Sequence, residues 1–216
     1  VPDERKIHSK IIPQIGGIIF GPIYLLLVWY FHLAPTWYLI GAIVSIILGA
    51  LDDRLHLRWI IKLLVQTILL IYISSIYWDK ILSITFYNYN IDISQILLFF
   101  IFAIWFIGIY NAVNLIDGLD GLAGGFMIII TFSMSLINLN SNQFSDLNFV
   151  LSIAILSFMI YNQRPAKLFM GDAGSLLLGF HLSVLPLLFF DNSANSNILE
   201  ITPFTIIVFF LVADTS

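Results

Sequence analysis

Two amides and two carboxylates recur every three residues in the stretch Asn-Ala-Val-Asn-Leu-Ile-Asp-Gly-Leu-Asp-Gly-Leu-Ala-Gly-Gly, residues 111–125. They are Asn111, Asn114, Asp117 and Asp120. Oxygen atoms of these types are the ligands that hard cations such as Mg²⁺ prefer. Spacing by three keeps neighbouring side chains on one face of a helix, although the stripe drifts by about 60° per step. The glycines that follow predict a helix end and a turn, with the polar side chains pointing into a shared space.

Three further acids stand at the ends of apolar segments. Asp52 and Asp53 directly follow an apolar run, and Asp172 lies in a glycine-flanked segment where the next apolar run begins. The start of a helix offers backbone N–H groups to phosphate, and an acid there could also hold a metal. Taken alone, each acid is more often a helix cap or a solvated loop charge. Together, the acids predict a single site.

Carboxylates that gather at a membrane interface repel one another, so they require a divalent cation, basic residues or both. The chain has no cysteine. With no closely spaced histidine pair either, oxygen ligands favour Mg²⁺ or Mn²⁺ over zinc. Because Mg²⁺ is commonly shared with substrate phosphates, a phosphorylated substrate is the expected partner. His32 and His181 lie near no acid in the sequence, and we expect them to be packed or interfacial.

Long apolar segments must position these groups. The chain is 60% hydrophobic and 10% charged, with a mean hydropathy of +0.98, whereas soluble domains carry about 25% charged residues. The sequence therefore predicts an all-α integral membrane protein, a polytopic helical bundle. Apolar runs near the length that crosses about 30 Å of hydrocarbon predict about eight spans, at 18–34, 36–51, 57–77, 95–112, 122–140, 147–162, 173–190 and 200–213.

The distribution of basic residues predicts the orientation. If the loops alternate between the two sides, Lys80 falls on one side of the membrane and the other eight of the nine Lys and Arg residues fall on the opposite side. By the positive-inside rule that basic side is cytoplasmic, and it holds all the acids named above. The eight residues are Arg5, Lys6, Lys10, Arg54, Arg58, Lys62, Arg164 and Lys167.

Two other segments carry specific predictions. Lys62 lies about one turn inside the third span, with Gln66 on the same helix face. It could extend to the interface or reach an anionic ligand, and the sequence leaves both alternatives open. Polar and apolar residues alternate around Asn88-Tyr89-Asn90, which predicts a short external β-hairpin near 83–93.

Four segments together carry a specific resemblance over nearly the whole chain. They are Pro2-Asp3-Glu4-Arg5-Lys6-Ile7-His8 with Pro13 and Gly16-Gly17, Asp52-Asp53 with Lys62 and Gln66, the stretch 111–125, and Pro165-Ala166-Lys167 through Phe169-Met170-Gly171-Asp172-Ala173-Gly174-Ser175. The chain resembles the polyprenyl-phosphate N-acetylhexosamine-1-phosphate transferases, glycosyltransferase family 4. That family includes the bacterial undecaprenyl-phosphate GlcNAc-1-phosphate transferases and phospho-MurNAc-pentapeptide translocase. The first and third segments are closer to the GlcNAc-1-phosphate branch.

The resemblance implies an activity at the cytoplasmic face of the bacterial inner membrane. Polyprenyl phosphate attacks the β-phosphate of a UDP-sugar and releases UMP, which starts a lipid-linked cell-surface glycan. Asp52 would deprotonate or orient the lipid phosphate with support from Asp53, and whether Asp52 acts in one displacement or as a covalent nucleophile is left open. Asn114 and Asp172 would hold Mg²⁺. The substrate-binding residues would be Lys62, Lys167, Asn111, Asp117, Asp120, Asn162 and Phe169.

The resemblance also predicts that residues 1–216 form a single catalytic membrane domain, truncated at both ends. The family has a span before the first residue and a basic, His-containing loop after the last one. The expected partners are a UDP-sugar, undecaprenyl phosphate and the lipid bilayer. A homodimer is compatible with the resemblance, and no nucleic-acid partner is expected. UDP-MurNAc-pentapeptide is an alternative substrate, and a cation-coupled transporter is a more distant alternative, since intramembrane acids also mark ion paths.

Overall fold

The computed structural model describes residues 12–78, 83–86, 89–92, 94–117, 121–137, 142–163, 166–191 and 198–200. Within these residues the chain forms seven helices and three short strands. The helices are α1 (Gly16–Tyr30), α2 (Thr36–Leu55), α3 (Trp59–Tyr77), α4 (Gln95–Ile116), α5 (Leu122–Ile137), α6 (Asn142–Asn162) and α7 (Gly171–Asp191). The strands are β1 (Ser83–Phe86), β2 (Tyr89–Asp92) and β3 (Ile198–Glu200).

The predicted all-α membrane class is confirmed, but the prediction of eight spans is wrong for the part of the chain that is described. Four helices there, α3, α4, α6 and α7, are long and apolar enough to cross a membrane. Helix α1 has 15 residues, about 22 Å at 1.5 Å per residue, against about 30 Å of hydrocarbon. Helix α5 is also short, and α2 ends in charged residues. The predicted span at 200–213 lies almost entirely outside the described residues.

Local signals set several helix boundaries. Pro35 precedes α2, a position where its missing N–H costs little. The Ser94 hydroxyl caps α4 by accepting from the N–H of Leu97 at 3.4 Å. His56 ends α2 in the left-handed conformation, with φ of 50°, and only two residues separate it from α3. This tight reversal brings the start of α3 back beside the end of α2.

The strands form a small sheet in the order β2-β1-β3. Strand β1 pairs antiparallel with β2, with Ser83 opposite Asp92 and Phe86 opposite Tyr89. These two strands lie within the segment predicted to be a hairpin. Strand β1 also pairs in parallel with β3, a third strand that the predicted hairpin did not include. A parallel partner so distant in sequence leaves no local signal.

Helix α7 is the centre of the bundle. Its apolar stretch is 94% buried, against 22% in α3 and in α4, and it packs against α1, α2 and α4. Small residues permit this close packing: a side chain at Gly17 would collide with the backbone of Gly174, and one at Gly49 with the backbone of Asp172. Close approach at small residues is a common way for membrane helices to associate.

A buried chain of hydrogen bonds crosses four helices near the middle of α7. We call it the mid-bundle chain: Tyr24, Tyr38, His181 and Asn148. The Tyr24 and Tyr38 hydroxyls are 2.7 Å apart, Tyr38 lies 2.8 Å from Nδ1 of His181, and Nε2 of His181 lies 3.1 Å from Oδ1 of Asn148. The predicted packing of His181 is thus confirmed.

The mid-bundle chain has a single direction. Nδ2 of Asn148 donates to the Phe144 carbonyl at 2.8 Å, which leaves its Oδ1 to accept. His181 therefore carries its proton on Nε2, and its Nδ1 accepts from Tyr38, which in turn accepts from Tyr24. All four residues are fully buried. The mid-bundle chain therefore supplies hydrogen-bond partners to polar groups whose burial would otherwise destabilise the fold.

Candidate active site

Asp52, Lys62 and Asp172 meet where α2 ends and α3 and α7 begin. We call these three residues the acid–lysine cluster. Nζ of Lys62 donates to Oδ2 of Asp52 at 2.7 Å and reaches Oδ2 of Asp172 at 3.5 Å. The other oxygen of Asp52 accepts from the N–H of Leu57 at 2.7 Å. The ammonium group of Lys62 thus faces two acids of the chain itself, and its contact with an anionic ligand stays a prediction.

Asp53 holds the N-terminus of α7. Its two carboxylate oxygens accept from the backbone N–H groups of Asp172, at 2.8 Å, and Ala173, at 3.2 Å. The first N–H groups of a helix have no partner within the helix, and a negative charge is favourable there. Gly171 has φ of +72°, and a Cβ there would lie 2.7 Å from Asp53 Oδ2. The contact therefore requires glycine, and it places Asp172 beside Lys62 and Asp52.

Asn114, near the end of α4, contacts the first turn of α7. Its Nδ2 donates to the hydroxyl of Ser175 at 2.8 Å, and its side chain also interacts with the carboxylate of Asp172. The two predicted metal ligands are therefore neighbours, brought together by α4 and α7. Ser175 was not predicted as a partner, although it lies on the same helix face as Asp172, three residues further on.

Asn111 pairs with Gln66 on α3. Nε2 of Gln66 donates to Oδ1 of Asn111 at 3.1 Å, and Nδ2 of Asn111 donates back to Oε1 of Gln66 at 2.8 Å. The second N–H of Asn111 reaches the Ile107 carbonyl at 2.8 Å. This reciprocal pair, which we call the amide pair, connects α3 to α4.

Asp117 ends α4 beside the same acids. Burial, together with the nearby charges of Asp172 and Asp53, raises the pKa of Asp117 to about 7. The carboxyl group is thus poised to change charge near neutral pH. Asp120, the other acid of the 111–125 stretch, lies outside the described residues.

Asn162 joins two loops at the same end of the bundle. Its Oδ1 accepts from the N–H of Gly121 at 2.9 Å, and its Nδ2 donates to the Leu168 carbonyl at 2.9 Å. Lys167 is exposed, and the N–H of Phe169 donates to the Pro13 carbonyl at 2.9 Å. Nucleotide contacts from Asn162, Lys167 and Phe169 stay predictions, but the loop that carries them is held at the site.

The donor set fits a hard cation that is shared with a ligand. Asp172 and Asn114 offer carboxylate and amide oxygens, the ligand types of Mg²⁺. No group of three or more His, Cys, Asp or Glu side chains in the described part of the chain could hold a metal. Because Mg²⁺ keeps several waters and takes substrate phosphates as ligands, two protein donors beside an open face suit it.

These features define a class: a membrane-integral helical protein with acids, amides and one lysine gathered at one end of its bundle. The glycosyl transferase family 4 model matches residues 35–190. The chain therefore belongs to glycosyl transferase family 4, which confirms the resemblance inferred from its motifs.

Curated relatives carry two kinds of name. A probable undecaprenyl-phosphate N-acetylglucosaminyl 1-phosphate transferase of Bacillus subtilis (strain 168) is 36% identical over 194 residues, covering 87% of this chain and 54% of the relative. An undecaprenyl-phosphate alpha-N-acetylglucosaminyl 1-phosphate transferase of Thermotoga maritima is 33% identical over 190 residues, covering 88% and 56%. A phospho-N-acetylmuramoyl-pentapeptide-transferase of Lactobacillus helveticus is 31% identical over 197 residues, covering 82% and 61%. The chain thus spans little more than half the length of these relatives.

Proposed function

We propose that the protein transfers GlcNAc-1-phosphate from UDP-GlcNAc to undecaprenyl phosphate and releases UMP. The acid–lysine cluster carries this proposal, because it sets one ammonium group between two carboxylates, and one of these, Asp172, lies beside Asn114, the other metal-type donor. Relatives named for N-acetylglucosaminyl 1-phosphate transfer, at 36% and 33% identity, support the choice of sugar. The product would start a lipid-linked glycan of the bacterial cell surface.

The proposed reaction is a displacement at phosphorus. An oxygen of undecaprenyl phosphate forms a bond to the β-phosphorus of UDP-GlcNAc, the bond from that phosphorus to the bridging oxygen breaks, and UMP leaves with the electron pair. Phosphoryl transfer depends mainly on positioning and on stabilisation of charge. The cluster supplies both without forming a bond to the substrate.

Each residue has a place in this scheme. Lys62 receives the lipid phosphate, and Asp52 orients Lys62 through their 2.7 Å contact. A phosphate monoester has its second pKa near about 6 and is largely deprotonated at neutral pH, so orientation is the main role of Asp52. Asp172 and Asn114 would hold Mg²⁺, which supplies positive charge to the diphosphate when bound. Asp53 keeps Asp172 in place from the N-terminus of α7.

The site faces the cytoplasm in this proposal. The end of the bundle that holds the acid–lysine cluster is also the end that carries Arg54, Arg58 and Lys167. Basic residues concentrate on the cytoplasmic side of bacterial membrane proteins, and nucleotide sugars are made in the cytoplasm. The membrane is then the bacterial cytoplasmic membrane.

Transfer can be tested with the full-length protein in bacterial membranes. Labelled UDP-GlcNAc and undecaprenyl phosphate are expected to give a lipid-linked product in the presence of Mg²⁺ or Mn²⁺, with loss of product in EDTA and recovery on addition of Mg²⁺. Product formation that survives EDTA would contradict the metal role. Absence of product with every UDP-sugar would contradict the function itself.

UDP-MurNAc-pentapeptide is the second candidate donor, favoured by the Lactobacillus helveticus relative at 31% identity. Competition in the same assay separates the two, since the true donor suppresses labelled product at the lower concentration. A transporter is disfavoured, because Asp52, Asp53, Asp117 and Asp172 all lie at one end of the bundle. Ion flux in proteoliposomes without substrate would reverse that conclusion.

A further inference from the structure

The amide pair lies directly beneath the acid–lysine cluster. Gln66 follows Lys62 by four residues on α3, and Asn111 precedes Asn114 by three on α4. At 1.5 Å per residue these separations are about 6 Å and about 4.5 Å along the helix axes. The pair therefore joins the helix that carries the lysine to the helix that carries a predicted metal ligand, one turn below both.

Asn111 has little capacity left for a ligand. One of its two N–H groups donates to Gln66 and the other donates to the Ile107 carbonyl, while its oxygen accepts from Gln66. Gln66 itself is fully buried. An amide whose N–H groups are both used inside the protein is better suited to fixing helices than to reading a nucleotide.

Helix α3 depends on such contacts for its position. Its apolar stretch is only 22% buried, against 94% in α7, so apolar packing fixes it weakly. Polar contacts hold it at both ends: Lys62 and Gln66 at the site end, and Tyr77, which donates to Asp191, at the other. A reciprocal amide contact also fixes the rotation of a helix, because both side chains must face each other for two bonds to form.

We propose that Gln66 and Asn111 are positioning residues, which hold α3 against α4 so that the lipid phosphate at Lys62 faces the substrate diphosphate at Asn114. This inference rests on the proposed function and replaces a direct nucleotide contact as the role of Asn111. Gln66 thereby gains a role in transfer without touching the substrate.

A double-mutant cycle tests the proposal. Gln66→Leu, Asn111→Leu and the double variant are compared in the transfer assay, with protein amounts corrected for the folded fraction. A misplaced catalytic group costs up to about 100-fold in rate, so each single variant is expected to lower kcat by about 10- to 100-fold, with KM for the UDP-sugar nearly unchanged. Because either substitution breaks the same contact, the double variant is expected to lose no more than one single variant.

Three outcomes would overturn the proposal. A KM for the UDP-sugar that rises with Asn111→Leu and not with Gln66→Leu would mean that Asn111 contacts the nucleotide. Multiplying losses in the double variant would mean independent roles, and an unchanged kcat per folded protein would mean a purely structural pair. Thr67→Val is the matched control, since the Thr67 hydroxyl donates within α3, to the Leu63 carbonyl at 2.8 Å.

A distance measurement separates this inference from the proposed function. Residues 1–216 contain no cysteine, so spin labels can be placed at Ile68→Cys and Leu115→Cys, both exposed. The distance distribution between α3 and α4 is expected to broaden in Gln66→Leu and in Asn111→Leu but not in Thr67→Val. An unchanged distribution counts against the positioning role. If the protein transfers no sugar phosphate but the distance distribution still broadens in these variants, the proposed function is wrong. The amide pair would then remain a contact that positions α3 against α4.

Discussion

The mid-bundle chain and the acid–lysine cluster differ in charge and in solvent exposure. The mid-bundle chain consists of neutral groups, is fully buried, and passes hydrogen bonds in one direction from Tyr24 to Asn148. The acid–lysine cluster has two carboxylates and one ammonium group; Asp52 is buried, but Lys62 and Asp172 stay partly exposed, with side-chain exposure of 22% and 31%. A closed neutral chain can only stabilise the fold, whereas an open cluster with unbalanced charge can still gain from a ligand.

This contrast separates stability from function. Buried polar groups that satisfy one another rigidify a core, and their loss should reduce stability first. Partly exposed groups with excess negative charge stabilise a bound cation or a cationic partner at some cost to the free protein. Substitutions in the two clusters should therefore have opposite signatures.

The largest effect is expected at Asp172. Asp172→Asn removes the charge of a proposed metal ligand and keeps its shape, so kcat for transfer is expected to fall by about 10²- to 10³-fold with little change in unfolding temperature. The transfer assay and a thermal scan in detergent measure the two quantities. Asp146→Asn, an exposed acid near the start of α6, is the control and should transfer normally. Near-normal transfer by Asp172→Asn would contradict a role of the acid–lysine cluster in transfer.

The next effect is expected at Lys62. Lys62→Met leaves Asp52 and Asp172 facing each other without a cation, so transfer should fall by about 10²-fold. KM for undecaprenyl phosphate should rise more than KM for the UDP-sugar, because Lys62 is proposed to receive the lipid phosphate. Lys62→Arg keeps the charge and should retain more activity than Lys62→Met. Equal activity in the two variants would contradict a charge-based role.

A third effect concerns the mid-bundle chain. His181→Leu leaves Tyr38 and Asn148 without their partner in a dry interior, so the free energy of unfolding should fall by about 1–3 kcal/mol. Rate per folded protein should stay the same, because His181 lies about 13 Å along α7 from Asp172. Tyr24→Phe removes only the first donor of the chain and should cost less. A loss of kcat in His181→Leu without a loss of stability would mean that the mid-bundle chain serves transfer and not only the stability of the fold.

The smallest effect is a pH dependence at Asp117. Its pKa is raised to about 7 from an ordinary value of about 3.9, so the folded state binds this proton more tightly than the unfolded state does. The resulting stability is fully present at low pH and is lost as pH rises through about 7. In EDTA, the unfolding temperature of the wild type should therefore fall between about pH 4 and about pH 7 and level off above that. Asp117→Asn should flatten that slope, and an unchanged slope would contradict the assignment.

Much of the site could be predicted from residue types alone. Membrane spans force loop residues to one side or the other, so Asp52, Asp53, Asp117 and Asp172 could be assigned to one end of the bundle, and the structure brings them together there. That Asn114 lies beside Asp172 was implied by the family resemblance and not by residue types. Side, helix face and chemical type are local properties, and they are readable from sequence.

The partners of these side chains could not be predicted. That Asp53 binds the N–H groups of α7, and that Asn111 binds Gln66, depends on which helices approach each other and at what height. The length of α1 was also overestimated, because its apolar run continues past the turn at Phe31 and His32 that follows the helix. The parallel pairing of β1 with β3 joins residues more than a hundred positions apart, and no local pattern marks it.

The central place of α7 has a consequence for biosynthesis. Of the described helices α7 emerges last from the ribosome, yet α1, α2 and α4 pack around it. Chains fold from the N-terminus during synthesis. Helices α1, α2 and α4 are therefore made before α7, and they lack their central packing partner until α7 is inserted. The acid–lysine cluster can form only at that moment, since Asp172 arrives with the last helix. Nascent chains released before α7 should therefore expose an unfilled groove to lipid and to membrane proteases.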